Sequence, residues 1–144
     1  MDFFSAMNVS SSAMSAERTR MNVISSNLAN ANSTRSAEGG PYKRKDAVFA
    51  AAPAADAFSN ALNQAGRQIE KVTVAKIVED PNPPRMQYDP THPDANPQGY
   101  VAYPNINVIE EMTDMITATR SYEANVTAAQ AAKSMALKTL ELGR

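Results

Sequence analysis

The residues whose side chains could most readily bind a metal ion or take part in a reaction lie in a proline-rich stretch of the 144-residue chain. The only histidine, His92, stands between Asp89 and Asp94. An imidazole flanked by two carboxylates could bind a metal ion, but a stable site would need further ligands from elsewhere in the fold. A single histidine among prolines more often belongs to a turn. We predict a turn role for His92 and no metal site.

Two other charged groups could carry chemistry. Glu110 and Glu111 form a carboxylate pair of the kind that transfers protons, and the basic run Lys43–Lys45 could contact phosphate. The carboxylates stand at a predicted helix start, where capping and the helix dipole explain them. The basic run precedes a predicted strand and is not interleaved with aromatic residues, which favours a solvated strand end. We expect no catalytic residue, no cofactor and no nucleic-acid binding.

Composition excludes further classes. The chain has no cysteine, so disulfides, thiolate metal sites and cysteine nucleophiles are impossible. A net charge of −1 gives no overall attraction to nucleic acid or to an acidic membrane. The first residues lack the basic start and apolar run of a secretory signal, and no apolar stretch approaches the roughly 20 residues of a membrane span. We expect no direct membrane insertion, and no signal cleavage if the chain is exported.

The element that positions the acidic pair is a long C-terminal helix, predicted for Asn105 to Arg144. Asn107 is placed to cap it, with Glu110 three residues further on. The helix carries a seam in alternating steps of four and three residues, which is the coiled-coil period. The seam consists of Val108, Met112, Met115, Thr119, Tyr122, Val126, Ala129, Lys133, Ala136 and Leu140. Such a seam predicts a partner helix along its length.

A matching helix is predicted for the N-terminus, from Phe3 to Asn30. Asparagine and serine side chains that compete with helical hydrogen bonds then end it. One row recurs at seven-residue intervals and consists of Met7, Met14, Met21 and Leu28. Its companion row consists of Phe3, Ser10, Glu17, Ile24 and Ala31. The polar members of the rows should fix register while weakening a simple two-helix pairing.

The two terminal helices are expected to pair antiparallel. Placing Leu28 beside Val108 brings Glu17 level with Thr119 and next to Arg120. This register suggests an ion pair between Glu17 and Arg120. The alternative is that Glu17 faces a neighbouring subunit.

The segment between the helices has a different character, since it contains the prolines and several short β-prone runs. We predict strands at 46–50, 71–78, 86–88 and 100–103, and a segment at 50–65 that is ambiguous between helix and loop. The predicted fold is mainly α, an elongated antiparallel pair of long coiled-coil-like terminal helices with a small β- and loop-rich middle. The expected boundaries are 1–35, 36–104 and 105–144.

Segments at both ends of the chain resemble the signatures of the flagellar rod and hook family of axial proteins. The N-terminal segment is Ser26–Thr34, in which Ser33 stands where the family usually has threonine. The C-terminal segment begins with Asn107–Met112 and continues through Met115-Ile116, Arg120–Glu123 and Asn125. Gly40–Lys45, His92–Ala95, Gly99–Val101 and Pro104-Asn105 are similar to the proximal rod members of that family.

This resemblance implies a structural subunit of the proximal rod of the bacterial flagellar basal body, in the shaft that crosses the periplasm. It implies export through the flagellar type III apparatus and assembly with further copies and other rod proteins. The terminal helices would then form a tubular drive shaft that transmits torque and contains the export channel. The expected assembly interface comprises Met7, Met14, Met21, Leu28, Asn27, Asn30, Asn32, Val108, Met112, Met115, Tyr122, Val126 and Leu140.

Two other classes of protein remain open, besides another axial protein of the same family. A soluble coiled-coil adaptor would use the seams to form a stable helical dimer. A small enzyme would need a pocket around His92 and the tyrosines of the middle segment.

Overall fold

A computed structural model of the chain describes residues 3–37, 39–53 and 70–142. Its helices are α1 (Phe3–Ala29) and α2 (Val108–Leu142), and its strands are β1 (Lys45–Pro53), β2 (Glu70–Glu79), β3 (Arg85–Tyr88) and β4 (Tyr100–Tyr103). These six elements confirm the two predicted helices and the four predicted strands. The mainly-α expectation is met only in part, because the helices, of 27 and 35 residues, leave much of the chain to strands and loops.

The ambiguous segment is resolved only at its start. Residues 50–53 continue β1 as strand, and residues 54–65 lie outside the described residues.

Both helices have side-chain caps that the sequence supplies. At the start of α2, the Asn107 Oδ1 atom accepts a hydrogen bond of 3.1 Å from the backbone N–H of Ile109. At the end of α1, the Asn30 side chain donates back to the Ser26 carbonyl at 2.9 Å and accepts from the Ser33 hydroxyl at 3.1 Å. The bond from Ile109 satisfies a backbone N–H that the start of a helix leaves without a helical partner, and the two bonds of Asn30 close the turn after α1. The predicted Asn107 cap is therefore confirmed.

The two helices pack antiparallel, as predicted, but in a different register. The Thr119 hydroxyl lies 3.7 Å from the Met21 sulfur, and the Arg18 guanidinium lies 3.5 Å from the Tyr122 hydroxyl. The prediction had placed Glu17 at the level of Thr119, so the true register differs by one helical turn. The predicted Glu17–Arg120 ion pair is wrong, because Arg120 is exposed and forms no salt bridge with Glu17.

The predicted seam of α2 is only partly covered in the isolated chain. Its half-buried members are Met115, Tyr122, Val126, Ala129 and Ala136, and its exposed members are Val108, Met112, Thr119, Lys133 and Leu140. The fully buried positions are Glu111, Ala118 and Ala132. Small alanine side chains let two helix backbones approach closely, so packing follows them rather than the larger Met and Leu side chains. Three exposed positions of the predicted seam, Met112, Thr119 and Lys133, therefore each lie one residue past a fully buried position.

The strands form two small antiparallel sheets, β1–β2 and β3–β4. The first sheet has a register shift between Val48 and Phe49 and packs against α1. The backbone N–H of Val72 in β2 donates a 3.2 Å hydrogen bond to the Ser12 hydroxyl of α1. The sheet thus covers the side of α1 that bears Ser12, and α2 covers another.

The apolar core of the described residues is small. Its buried apolar side chains are Ala16, Ile24, Val101, Pro104, Ala118 and Ala132. Three of these are alanines, whose burial contributes little to stability compared with leucine or phenylalanine. Polar side chains are buried beside them, and they concentrate where α1 ends and α2 begins.

Candidate assembly interface

A buried polar cluster joins the N-terminal helix, the middle segment and the C-terminal helix. It consists of Asn27, Arg44 and Glu111, and we refer to it as the junction. Asn27 and Glu111 are each only 1% exposed. The junction positions the two helices relative to the sheets, so we describe it before the exposed faces.

Asn27 lies at the centre of the junction and uses both ends of its amide. Its Nδ2 donates to the Lys45 carbonyl at 2.8 Å and to Glu111 Oε2 at 3.0 Å. Its Oδ1 accepts from the Lys45 N–H at 3.0 Å and from the Tyr42 hydroxyl at 3.1 Å. An amide offers two donors and two acceptor positions, and all are occupied here. Asn27 therefore fastens the start of β1 to the end of α1.

Arg44 and Glu111 form the charged half of the junction. Arg44 Nε donates to Glu111 Oε1 at 2.6 Å, and the guanidinium also lies 3.9 Å from Asp46 and 4.0 Å from Asp114. Partial burial lowers the pKa of Arg44, but the hydrogen bond and charge of Glu111, together with the charges of Asp46 and Asp80, raise the pKa above its ordinary value. Glu111 thus has a permanently charged partner on one oxygen and an amide donor on the other.

Two sequence expectations are corrected by this cluster. Arg44 does not belong to a solvated strand end, because its side chain is only 27% exposed and faces a carboxylate from α2. Glu111 does more than interact with the helix dipole, whereas its neighbour Glu110 is exposed. Sequence spacing could not reveal the pair, since 67 residues separate Arg44 from Glu111. The available signal was that Asn27 and Glu111 both fall within the family-like segments.

A second contact attaches the proline-rich loop to the segment that follows α1. The Thr34 hydroxyl donates to Asp94 Oδ2 at 2.8 Å, and Arg35 forms a salt bridge with the same carboxylate. The hydrogen bond from Thr34 and the charge of Arg35 hold the pKa of Asp94 below its usual value. The loop is therefore fastened by an ionised carboxylate at neutral pH.

His92 takes part in the turn geometry of this loop. Its Nδ1 accepts a 3.1 Å hydrogen bond from the backbone N–H of Asp94, and its ring lies edge-on to Tyr103 with centroids 6.2 Å apart. The turn role predicted for His92 is confirmed. Among the described residues, no group of three or more His, Asp or Glu side chains is arranged to hold a metal ion.

The N-terminal residues predicted for the assembly interface fall into different environments. Asn27 is in the junction, and Asn30 closes the end of α1. Met14, Met21 and Leu28 are half-buried, whereas Met7 and Asn32 are exposed. Only some of these side chains are therefore free to meet another subunit.

The predicted residues of α2 also divide between covered and exposed positions. Met115, Tyr122 and Val126 are half-buried. Val108, Met112 and Leu140 are exposed. The exposed residues Val108, Met112 and Leu140 therefore leave apolar surface that the described part of the chain does not cover.

Sequence reasoning missed part of the exposed apolar surface of α2. Ile109, Met112 and Ile116, which we call the outer stripe, recur at spacings of three and four residues, so they share one face of the helix. All three are more than half exposed, with Ile109 at 75%. The spacing of three and four residues could have revealed the stripe, but Met112 also belongs to the predicted seam, and the seam was the longer pattern. Exposed apolar residues in a row mark interaction sites.

Further apolar residues are exposed where α2 ends. With Arg18 beside Tyr122 in an antiparallel pair, the longer α2 continues past the start of α1. Leu137, Leu140 and Leu142 lie in this last part of α2, and Leu142 is 88% exposed. A helix end rich in exposed leucine needs a partner that the described part of the chain does not provide.

Paired terminal helices with exposed apolar faces, fastened by a polar junction, define a structural subunit that assembles with other chains. Comparisons with known proteins show to which assembly such a subunit belongs. Residues 7–35 match the model of the flagella basal body rod protein family, and residues 98–142 match that of the flagellar basal body rod FlgEFG protein C-terminal family. The first match contains Asn27 and the second contains Glu111, so the junction joins the two family segments.

Full-length relatives agree with these models. The chain is 45% identical to the flagellar basal-body rod protein FlgC of Bacillus subtilis, with the whole of both chains covered. It is 40% identical to FlgC of Borreliella burgdorferi over 94% of this chain and 93% of the relative, and 38% identical to FlgC of Salmonella typhimurium over the full length of both. The chain belongs to the FlgC family of flagellar basal-body rod proteins.

Membership of this family confirms the predicted function. The chain is a structural subunit of the proximal rod of the flagellar basal body and is not an enzyme. It assembles with other rod components. None of the described helices is long and apolar enough to cross a membrane.

Proposed function

We propose that the chain enters the rod by docking the exposed apolar residues of α1 and α2 against further copies and other rod proteins. The terminal segments 1–35 and 105–144 form the axial core of this assembly, and 36–104 forms a separate middle region. The observation that carries the proposal is the outer stripe, which is apolar, regularly spaced and exposed in the isolated chain.

The energetics favour assembly through this stripe. Fully burying an Ile or Met side chain contributes about 1.5–3 kcal/mol. Burying the three stripe residues together contributes on the order of 5 kcal/mol for each contact between subunits, before the entropic cost of association. A contact of this kind, repeated along a shaft, holds subunits together cooperatively.

The free subunit is expected to be only marginally folded. Its buried apolar side chains are few and small, so they offset little of the conformational entropy lost on ordering two long helices. Such a chain can unfold to pass the flagellar type III export apparatus without signal cleavage. On the periplasmic side it refolds against subunits already in place. The resulting tube contains the export channel and transmits torque as a drive shaft.

A charge placed in the outer stripe tests the proposal. Ile116→Asp should leave the isolated subunit folded, because Ile116 is exposed there, but it should block incorporation into basal bodies and abolish motility, because an unpaired charge would be buried between subunits. The matched control is Thr117→Asp, which places the same charge on the next exposed residue, off the stripe. Normal swimming and normal basal-body content of Ile116→Asp would overturn the proposal.

The absence of cysteine from the chain allows the partners to be mapped. Single cysteines at Ile109 and Leu140 should form crosslinks in purified basal bodies, both between copies and to other rod proteins. The same variants should stay uncrosslinked as dilute purified subunits. Crosslinks in the dilute subunit would instead favour the stable dimer expected of an adaptor.

A further inference from the structure

Glu17 is a half-buried glutamate of α1, and one of its carboxylate oxygens is buried without a partner among the described residues. It lies in the same row of α1 as Ser10 and Ile24, both of which are buried. Its Oε2 atom is buried and accepts no hydrogen bond from the described residues. A buried polar atom without a partner costs roughly 1–3 kcal/mol, and more when it is charged. Glu17 therefore opposes the helix pairing in which it takes part.

No basic group among the described residues forms a salt bridge with this carboxylate. Arg120 is exposed, and Arg18 on the same helix donates to the Tyr122 hydroxyl instead. Arg20, one turn along α1, forms no salt bridge with Glu17 either. Because a cation within 4 Å would compensate the burial, its absence leaves the cost in place.

Glu111 is a glutamate whose burial is compensated by hydrogen bonds to both of its carboxylate oxygens. One of its oxygens accepts from Arg44 at 2.6 Å and the other accepts from Asn27 at 3.0 Å. The described part of the chain therefore provides donors to both oxygens of the fully buried Glu111 and none to the buried oxygen of the half-buried Glu17.

We infer that Glu17 is a weak point of the free subunit, which keeps α1 able to separate from α2 during export and assembly. When α1 separates, the buried Oε2 atom returns to water and the cost of burying it is recovered. The opened state is therefore more populated in this chain than in a variant whose residue 17 is apolar. This inference rests on the proposed function, because it assumes that the helix pair must open before it enters the rod.

Hydrogen exchange of the purified full-length chain tests the inference directly. Local opening sets how strongly the α1 amide protons are protected. Glu17→Met should increase the protection of these amides by about tenfold to a hundredfold, which corresponds to removing an uncompensated buried polar group. Glu17→Gln keeps the shape of the side chain and removes the charge, so it should give a smaller increase of the same sign.

Glu123 offers the matched control, because it is an exposed glutamate on α2. Glu123→Met and Glu123→Gln should change the protection of α1 by no more than about twofold. If Glu17→Met and Glu17→Gln both leave α1 protection at the wild-type level, the inference is wrong. An equal increase from the Glu123 variants would also overturn it, since any lost negative charge would then suffice.

The consequence for export is measured separately in the native host. Glu17→Met should slow the appearance of the subunit outside the cytoplasm relative to wild type and to Glu123→Met. Higher protection with unchanged export would overturn the functional half of the inference. The proposed function fails by a different result, namely if the wild-type chain is absent from basal bodies or if Ile116→Asp assembles normally.

Discussion

The two ends of the helix pair are built in opposite ways. The closed end, where Asn27 and Glu111 meet, is held by buried hydrogen bonds and an ion pair to the sheet. The open end, where α1 begins at Phe3 and α2 ends at Leu142, is thin and carries exposed leucines. The comparison shows that directional polar contacts fix the geometry of the subunit at one end. Apolar surface at the other end is left for neighbouring subunits.

The largest effect is expected from disrupting the closed end at Glu111. Glu111→Gln leaves the half-buried Arg44 without its main carboxylate, and it should lower the free energy of unfolding by about 3 kcal/mol. Urea denaturation of the purified subunit measures this loss. Glu110→Gln is the control, because that neighbour is exposed and its loss should stay within about 0.5 kcal/mol. Equal losses in the two variants would show that the junction does not stabilise the closed end.

A smaller effect is expected at the turn before β4, in the loop fastened to the closed end. Gly99 has a φ of +84°, and a Cβ atom there would lie 2.8 Å from Tyr88 Cε2. Gly99→Ala should therefore cost about 2–3 kcal/mol, from backbone strain together with the steric clash.

Gly40 separates these two contributions. It has a similar φ of +80°, but nothing lies within 4 Å of an added Cβ atom. Gly40→Ala should cost only about 1 kcal/mol. Thermal unfolding of the two variants compares them, and equal shifts in Tm would show that Tyr88 moves aside without cost.

The smallest effect is expected at the open end. Leu140 is 73% exposed, so Leu140→Ala should change the stability of the free subunit by less than about 0.5 kcal/mol. Ile24→Ala, at a position buried in α1, should lose about 3 kcal/mol by the same measurement. A loss above about 2 kcal/mol for Leu140→Ala would mean that the open end is already packed in the free subunit.

The elements of the fold could be predicted because each has a local signal. The period of the terminal helices, the Asn107 cap and the alternating pattern of the strands act over a few residues. Exposure of Leu140 could not be predicted, because a row of suitable side chains does not reveal which neighbour covers it.

The contacts that fix the geometry could not be predicted from such signals. The register of the helices is set by the junction, which depends on residues far apart in sequence. The buried row of α2 runs through Ala118 and Ala132, which are weakly hydrophobic and are chosen by close packing rather than by side-chain size. Prediction from the larger Met and Leu side chains therefore selected the neighbouring row.

The junction also sets a condition on the order of folding. Its members come from both ends and the middle of the chain, and 84 residues separate Asn27 from Glu111. Closing so large a loop carries an entropic cost that local contacts do not share, so the junction closes after the helices begin to form. A chain that stops before residue 111 cannot close it at all. The junction thus distinguishes a chain that extends at least to residue 111 from any shorter fragment, which cannot reach the final geometry.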